Sequence, residues 1–181
     1  MISHSRPCSY ILKDADHGYT SEKHSFIARE WIVVNETITI STREAPHFVD
    51  LTEIVQDLIQ REGIVIGSAL VFSKHTTAAV VVNEHEPLLL EDISELLTRL
   101  IPHTEIANYR HDDMRIRTVN LVEDEPQNGH AHCQHLLLGS SIQIPIKAQR
   151  LDLGQWQRLF LVELDRSRSR QVVIQISGIQ G

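Results

Sequence analysis

At 181 residues, 41% hydrophobic and 23% charged, the chain has the composition of one globular domain long enough to bury a core without metal or disulfide staples. Its formal charge of −7, from 24 acidic and 17 basic residues, opposes non-specific attraction to a phosphate backbone, so nucleic acid is not the expected partner. The two cysteines form no CxxC pair and no long apolar run or signal-peptide core is visible, which excludes a disulfide scaffold and a membrane span and points to a cytoplasmic protein.

Residues 1–30 are polar, carry His4, His17 and His24, and read as an N-terminal extension. The periodic signal begins with Val33, Val34 and Thr37–Ile40, which have strand character. From Asp50 to Ile59 the period changes: Leu51, Ile54, Val55, Leu58 and Ile59 share one helical face, Asp50 and Glu53 have capping-box spacing, and Gly63 ends the helix. Ile64–Phe72 reads as a buried strand, Ala78–Val82 as a second, and Pro87–Pro102 as a helix bordered by prolines. Residues 103–130 show little periodicity, and a polar connection of that length is expected to be an active-site lid, a binding loop or a disordered linker.

Ser141–Ile146, Leu159–Leu164 and Gln171–Ser177 give three more strands, and Pro145 requires an edge, bulge or bend in the first of them. The late connections are too short for parallel crossovers. The expected architecture is therefore α+β: a mostly antiparallel sheet covered by a few helices, forming a single domain over residues 31–181.

Four polar groupings carry possible chemistry. Phe72–Glu86, FSKHTTAAVVVNEHE, places His75, Thr76 and Thr77 before an apolar run and Asn83 and Glu84 after it; imidazole and carboxylate suit proton transfer or metal ligation, hydroxyls suit anionic oxygens, and a structural cap at the sheet edge is the plain alternative. Tyr109–Asp113, YRHDD, offers His111 to a closing loop and Arg110 to a phosphate or carboxylate. Asn128–Gly139 holds the densest histidine cluster: behind an Asn128 cap a helix puts His132 and His135 on one side, whereas an extended chain pairs His130 with His132. Neither spacing is a standard zinc pattern. Cys133 is expected to be buried in packing, and Trp156 in Leu151–Arg158 to pack in the core or at a subunit interface, with Gly154 permitting a tight turn. The basic run Arg166–Arg170 reads first as a solvated turn and second as an anion contact.

Taken in order, HTTAAVVVNE at His75–Glu84, YRH at Tyr109–His111, NGHAH from Asn128, LLLGSSIQIPI and LDLGQWQ resemble the YjbQ-like family, UPF0047, over about residues 31 to 178. By that resemblance His75, Glu84, His111, Asn128 and His132 fall on the family's characteristic polar positions. It implies a compact α+β fold assembling as a homotrimer, metal or anion binding, and a weak thiamine-phosphate synthase activity in some members. His130 and His135 inherit no role from it. Gln149 stands in place of a glycine, Gln155 in place of a threonine or serine, and ELDRSRSRQV in place of a glycine-proline turn.

The resulting expectation is a metal-assisted enzyme. His75, His132 and Glu84 would bind a divalent zinc or magnesium ion, His111 and Glu84 would act in catalysis, and Thr76, Thr77, Asn83, Arg110 and Asn128 would hold a small anionic or phosphorylated substrate. The alternative is a noncatalytic trimeric module that binds metal or a small anion.

Overall fold

The computed structural model describes residues 8–14, 19–25, 30–103, 109–122 and 124–181, the first two stretches as backbone alone. His4 and His17 lie outside the described residues. Strands β1 (Cys8–Asp14) and β2 (Tyr19–Ser25) pair with each other as an antiparallel hairpin.

The remaining elements follow as β3 (Trp31–Ser41), β4 (His47–Asp50), α1 (Thr52–Arg61), β5 (Ile64–Ser73), β6 (Ala78–Glu84), α2 (Pro87–Leu100), a 3-10 turn (Arg110–Asp112), α3 (Gly129–Leu138), β7 (Ser141–Lys147), β8 (Arg150–Leu151), β9 (Gln157–Glu163) and β10 (Ser169–Gln180). They build a five-stranded sheet in the order β3-β10-β5-β7-β8 and a three-stranded sheet β4-β9-β6, with every pairing antiparallel. This is the α+β class expected from the short late connections.

Burial explains which runs alternate. In β10 the residues Arg170, Val172, Ile174 and Ile176 are buried and those between them are more exposed, so one face of the larger sheet meets the core. β9 is buried on both faces, which is why LFLVEL reads as an unbroken apolar run. Its Leu159 and Leu161 join β5, β7, β10 and the Val55, Leu58, Ile59 face of α1 between the sheets. Its Phe160 and Val162 face the other way and, with Leu164 just past its end, pack under Leu97 of α2 and Ala131 of α3.

Local chemistry sets the element ends. Asp50 lies in β4 and its Oδ1 accepts the Thr52 N–H at 2.9 Å, with Leu51 at the N-cap, so α1 starts one residue later than the capping-box spacing suggests. Glu53 does not close that box; its carboxylate and that of Asp50 both bind Arg158. Gly63, at φ +64, ends the helix. Glu86 accepts the Leu88 and Leu89 N–H groups and, with Pro87, opens α2. Pro145 has its carbonyl directed to Asp152 N–H, so its missing donor lies on the same side, where β8 is only two residues long.

The β7–β8 hairpin turns on Ala148 at φ 50 and Gln149 at φ 61, both left-handed and neither glycine. Because a left-handed conformation costs an ordinary residue on the order of 1 kcal/mol, Gln149→Gly should stabilise the fold by roughly that amount. Urea unfolding measures it, and an unchanged or lower midpoint would contradict this account of the turn.

Candidate functional site

Three connections between the sheets lie side by side at one end: residues 42–46 from β3 to β4, 74–77 from β5 to β6, and 164–168 from β9 to β10. They are tied together by Thr42 N–H to the Arg168 carbonyl at 2.9 Å, Lys74 N–H to the Gln171 carbonyl at 3.2 Å and Leu164 N–H to the Thr77 carbonyl at 3.2 Å. Beneath them Arg170, 2% exposed, pairs with fully buried Glu163. Arg170 Nε donates to Glu163 Oε2 at 2.6 Å, Thr42 Oγ1 donates to the same oxygen at 2.7 Å, and an Arg170 Nη2 proton reaches Thr77 Oγ1 at 3.0 Å. Burial pushes the Glu163 carboxyl up, but the hydrogen bonds from Arg170, Thr42 and Asp165 N–H together hold it below the ordinary carboxylate range.

On this base the 74–77 turn presents its side chains to a cleft of about 420 Å³. His75 Nε2 accepts the Gln171 N–H at 2.7 Å, which assigns the ring proton to Nδ1. Burial, followed by the charge of Arg170, lowers the His75 pKa, in keeping with a neutral acceptor. Thr77 is buried, Thr76 and Lys74 are exposed at the mouth, and the Lys74 ammonium has no ion-pair partner among the described residues.

The opposite wall comes from His111, Arg117, Asn120 and Glu125 and from the start of α3. Asp112 Oδ1 accepts the N–H groups of Asn128 and Gly129 at 3.0 and 2.9 Å, acting as a distant cap for α3, whose own N-cap Asn128 makes no side-chain cap bond. Gly129 is needed there, since a Cβ would stand 2.4 Å from the Tyr109 Cβ. Tyr109 in turn donates its hydroxyl to the Pro102 carbonyl at 2.9 Å. These contacts bring the His111 and His132 rings edge to face with centroids 4.5 Å apart. Burial, with the nearby His111 second, lowers the His132 pKa.

Arg117 pairs with Glu125 at 2.7 Å, and Asn120 and Arg168 complete the lining. Three buried polar atoms on this lining have no hydrogen-bond partner: His111 Nε2, Asn128 Oδ1 and Arg168 Nε. An acceptor, a donor and an imidazole nitrogen are thus left for something that enters the cleft.

The structure therefore brings together His75, Thr76, Thr77, His111, Asn128 and His132. Arg110 is exposed on the 3-10 turn beside them and does not line the cleft. Glu84 and Asn83 lie at the far end of β6, opposite Gln157 and Arg158, so they are not in the cleft of the same chain. The expected metal set does not gather around one ion: Glu84 is remote and His75 Nε2 is already an acceptor. Among the described residues no three His, Cys, Asp or Glu side chains stand ready to hold a metal.

Several expectations change. Cys133 is exposed rather than buried, because it follows His132 on the outer side of α3. Trp156 is 65% exposed and is not in the core of the chain. The basic run is not simply a solvated turn, since Arg168 and Arg170 face the cleft and Arg170 is buried. Lys74, Arg117, Asn120, Glu125, Arg168 and Arg170 carry no individual signal in the sequence; the RSRSR run and the unexplained length of 103–130 point to five of them, all but Lys74.

Residues 36–179 match the family model described as UPF0047 protein YjbQ-like. A UPF0047 protein of Archaeoglobus fulgidus is 35% identical over 138 residues, 76% of this chain and 96% of that protein. One from Methanothermobacter thermautotrophicus is 32% identical over 146 residues, 81% and 93% of the two chains. Among solved structures, a YbjQ-like protein of unknown function from Sulfolobus solfataricus superposes with a TM-score of 0.70 at 34% identity, covering 82% of this chain and 99% of that one. A hypothetical protein of Aeropyrum pernix gives 0.68 at 34% identity, covering 80% and 98%.

Two outcomes follow from the geometry of the cleft. Asp112→Ala removes the distant cap of α3 and should lower stability by about 1 kcal/mol while broadening the NMR signals of the His111 and His132 rings; sharp, unshifted ring signals would show that Asp112 does not set their geometry. His75, His130, His132 and His135 all have folded pKa values below the ordinary imidazole value of 6.5, each chiefly through burial. The unfolded chain therefore binds protons first, so this stability is present above about pH 6.5 and is lost as pH falls through the lower folded values. Melting temperatures that rise between pH 7 and pH 5 would contradict it.

Proposed function

The chain belongs to the YjbQ-like UPF0047 family, and from that premise we propose that its cleft binds a small phosphorylated compound and acts on it through the His111–His132 pair. One observation carries the reading: on a chain of formal charge −7, the cleft is lined by Lys74, Arg117, Arg168 and Arg170 against the single carboxylate of Glu125. Arg117 and Arg170 are matched by Glu125 and Glu163, and Arg168 contacts Asp165, so the surplus is Lys74 and the unpartnered Arg168 Nε–H, beside the hydroxyl of Thr76. Together they suit anionic oxygens. Neutral His132 next to His111 suits a proton transfer at the bound group.

The candidate reaction is the thiamine-phosphate synthase transfer. The ring nitrogen of a thiazole phosphate attacks the methylene carbon of a pyrimidine-methyl diphosphate; the new C–N bond forms as the C–O bond breaks, and pyrophosphate leaves with the electron pair. Thr76, Thr77 and Lys74 would help hold the departing diphosphate, and Arg110, outside the cleft wall, would not. A zinc or magnesium ion arriving with the diphosphate would add charge neutralisation, although His75, Glu84 and His132 do not converge to hold it.

The same groups serve a noncatalytic anion-binding module, in which the unpartnered Asn128 Oδ1 would accept a hydroxyl or amine proton of the ligand whether or not turnover follows. Both readings take the protein as a homotrimer with clefts near the subunit boundaries. Met114, Ile116, Val119, Leu121 and Val122 are exposed on the very segment that supplies Arg117 and Asn120 to the cleft, and a second copy would cover them. Sedimentation should give three chains per particle, and a stable monomer at micromolar concentration would refute that assembly.

Calorimetric titration of the full chain with inorganic phosphate and pyrophosphate tests the cleft itself. Lys74→Ala should weaken binding about three- to fivefold, equivalent to roughly 1 kcal/mol, and added salt should weaken it further. No saturable binding of either anion would refute the reading. With both proposed substrates supplied, His111→Ala should abolish product while retaining binding if the protein is an enzyme; absence of product from the native chain leaves the binding module.

A further inference from the structure

On the cleft wall opposite the 74–77 turn, every polar atom of Asn128 but one has a partner among the described residues. Its backbone N–H goes to Asp112 Oδ1 at 3.0 Å, and its carbonyl accepts the Ala131 N–H at 2.9 Å. Its side-chain Nδ2 donates to Glu125 Oε1 at 3.4 Å. The residue is 3% exposed, and its Oδ1 is left buried on the lining of the cleft without a hydrogen-bond partner. A buried amide oxygen in that state calls for a donor from whatever occupies the cleft.

Two neighbours fix which way the amide points. Arg117 uses its guanidinium on its own segment: Nη1 donates to Glu125 Oε2 at 2.7 Å, Nη2 to the Asn120 carbonyl at 2.6 Å and Nε to the Val119 carbonyl at 3.3 Å. The hydrogen bond from Arg117 holds the Glu125 carboxyl below the ordinary carboxylate range, so it stays an anion that only accepts. Turning the amide over would set Asn128 Oδ1 against Glu125 Oε1, two acceptors with no proton between them. Arg117 and Glu125 together therefore keep an acceptor in the cleft wall. His111 Nε2, also buried without a partner, does not discriminate in the same way, since an imidazole nitrogen accepts or donates according to its tautomer.

We propose that the cleft selects a small phosphate ester bearing a hydroxyl group, and that Asn128 determines this specificity. Lys74 and the Arg168 Nε–H take the phosphate on one wall, and Asn128 Oδ1 accepts the hydroxyl proton on the other. A hydroxyl fits better than an ammonium group. The carboxylate bonded to Asn128 is already neutralised by Arg117, and Lys74, Arg117 and Arg168 line the same cleft, so a further cation would enter against their charge. The volume of about 420 Å³ leaves room beyond a single phosphate for the carbon chain that joins the two groups. Selection of this kind rests on the phosphate binding proposed above and not on the transfer reaction.

The test is calorimetric titration of the full chain with three esters: glycerol 3-phosphate; n-propyl phosphate, which keeps the chain length and loses both hydroxyls; and phosphoethanolamine, which carries an ammonium instead. The native chain should bind glycerol 3-phosphate about tenfold more tightly than either of the others. In Asn128→Ala that preference should shrink to less than about twofold. The capping contact of Asp112 runs through the Asn128 N–H and not its side chain, so the variant retains it, and a melting temperature checks the fold. The proposal is overturned if the native chain binds n-propyl phosphate or phosphoethanolamine as tightly as glycerol 3-phosphate, a comparison that needs no variant. It is equally overturned if folded Asn128→Ala keeps the native preference. In both cases saturable binding leaves the phosphate reading of the cleft standing, whereas binding of none of the three esters overturns both.

Discussion

The buried pair of Arg170 and Glu163 is the interaction on which the rest of the architecture depends. Glu163 ends β9 in the three-stranded sheet and Arg170 begins β10 in the five-stranded sheet, so their bond fastens one sheet to the other where the chain passes between them. Two charges so far from water are tolerable only when every lone pair and proton is matched. Thr42, Thr77 and the backbone of Asp165 supply those matches, and they come from all three connections that cross at this end. Satisfying one ion pair therefore fixes three turns in register with each other.

That arrangement explains why the polar chemistry collects at a single end. Between the sheets the core is aliphatic from Val55 and Ile59 to Ile174 and Ile176, and it leaves no place for a titratable group. At the crossings the backbone leaves its ladders, and its N–H groups are free to meet side chains, as Gln171 meets His75. The cleft thus inherits a rigid floor from the fold. Its other wall, residues 109–122 with 124 and 125, is anchored by Asp112 at the start of α3 and Tyr109 against Gly129.

The two cavities divide the histidines by chemistry. His75, His111 and His132 face a wide, cation-rich cleft, whereas His103 and His130 line a second, small chamber together with Thr98, Gln134 and Asp165. α3 carries a histidine to each, His130 to one side and His132 to the other, two residues apart on a helix and so pointing in different directions. Asp165 and Arg168 lie three apart at the corner between the cavities, and their contact places the negative charge toward the chamber and the positive charge toward the cleft.

The sequence by itself determined the α+β class, most of the strands and the helices α1 and α2, because apolar period and turn chemistry are local properties of the chain. It placed Glu84 with His75 because they flank one apolar run, but β6, seven residues long and ending at Glu84, separates that residue from the turn that carries His75. It read Arg166–Arg170 as a surface turn, since nothing local reveals that Glu163 on a neighbouring strand will draw Arg170 inward. The short β4 and β8 gave too few residues to show a period. Only the tertiary structure decided which polar groups share a wall and which are left without a partner, because both depend on contacts between residues as far apart in the chain as Thr42 and Glu163.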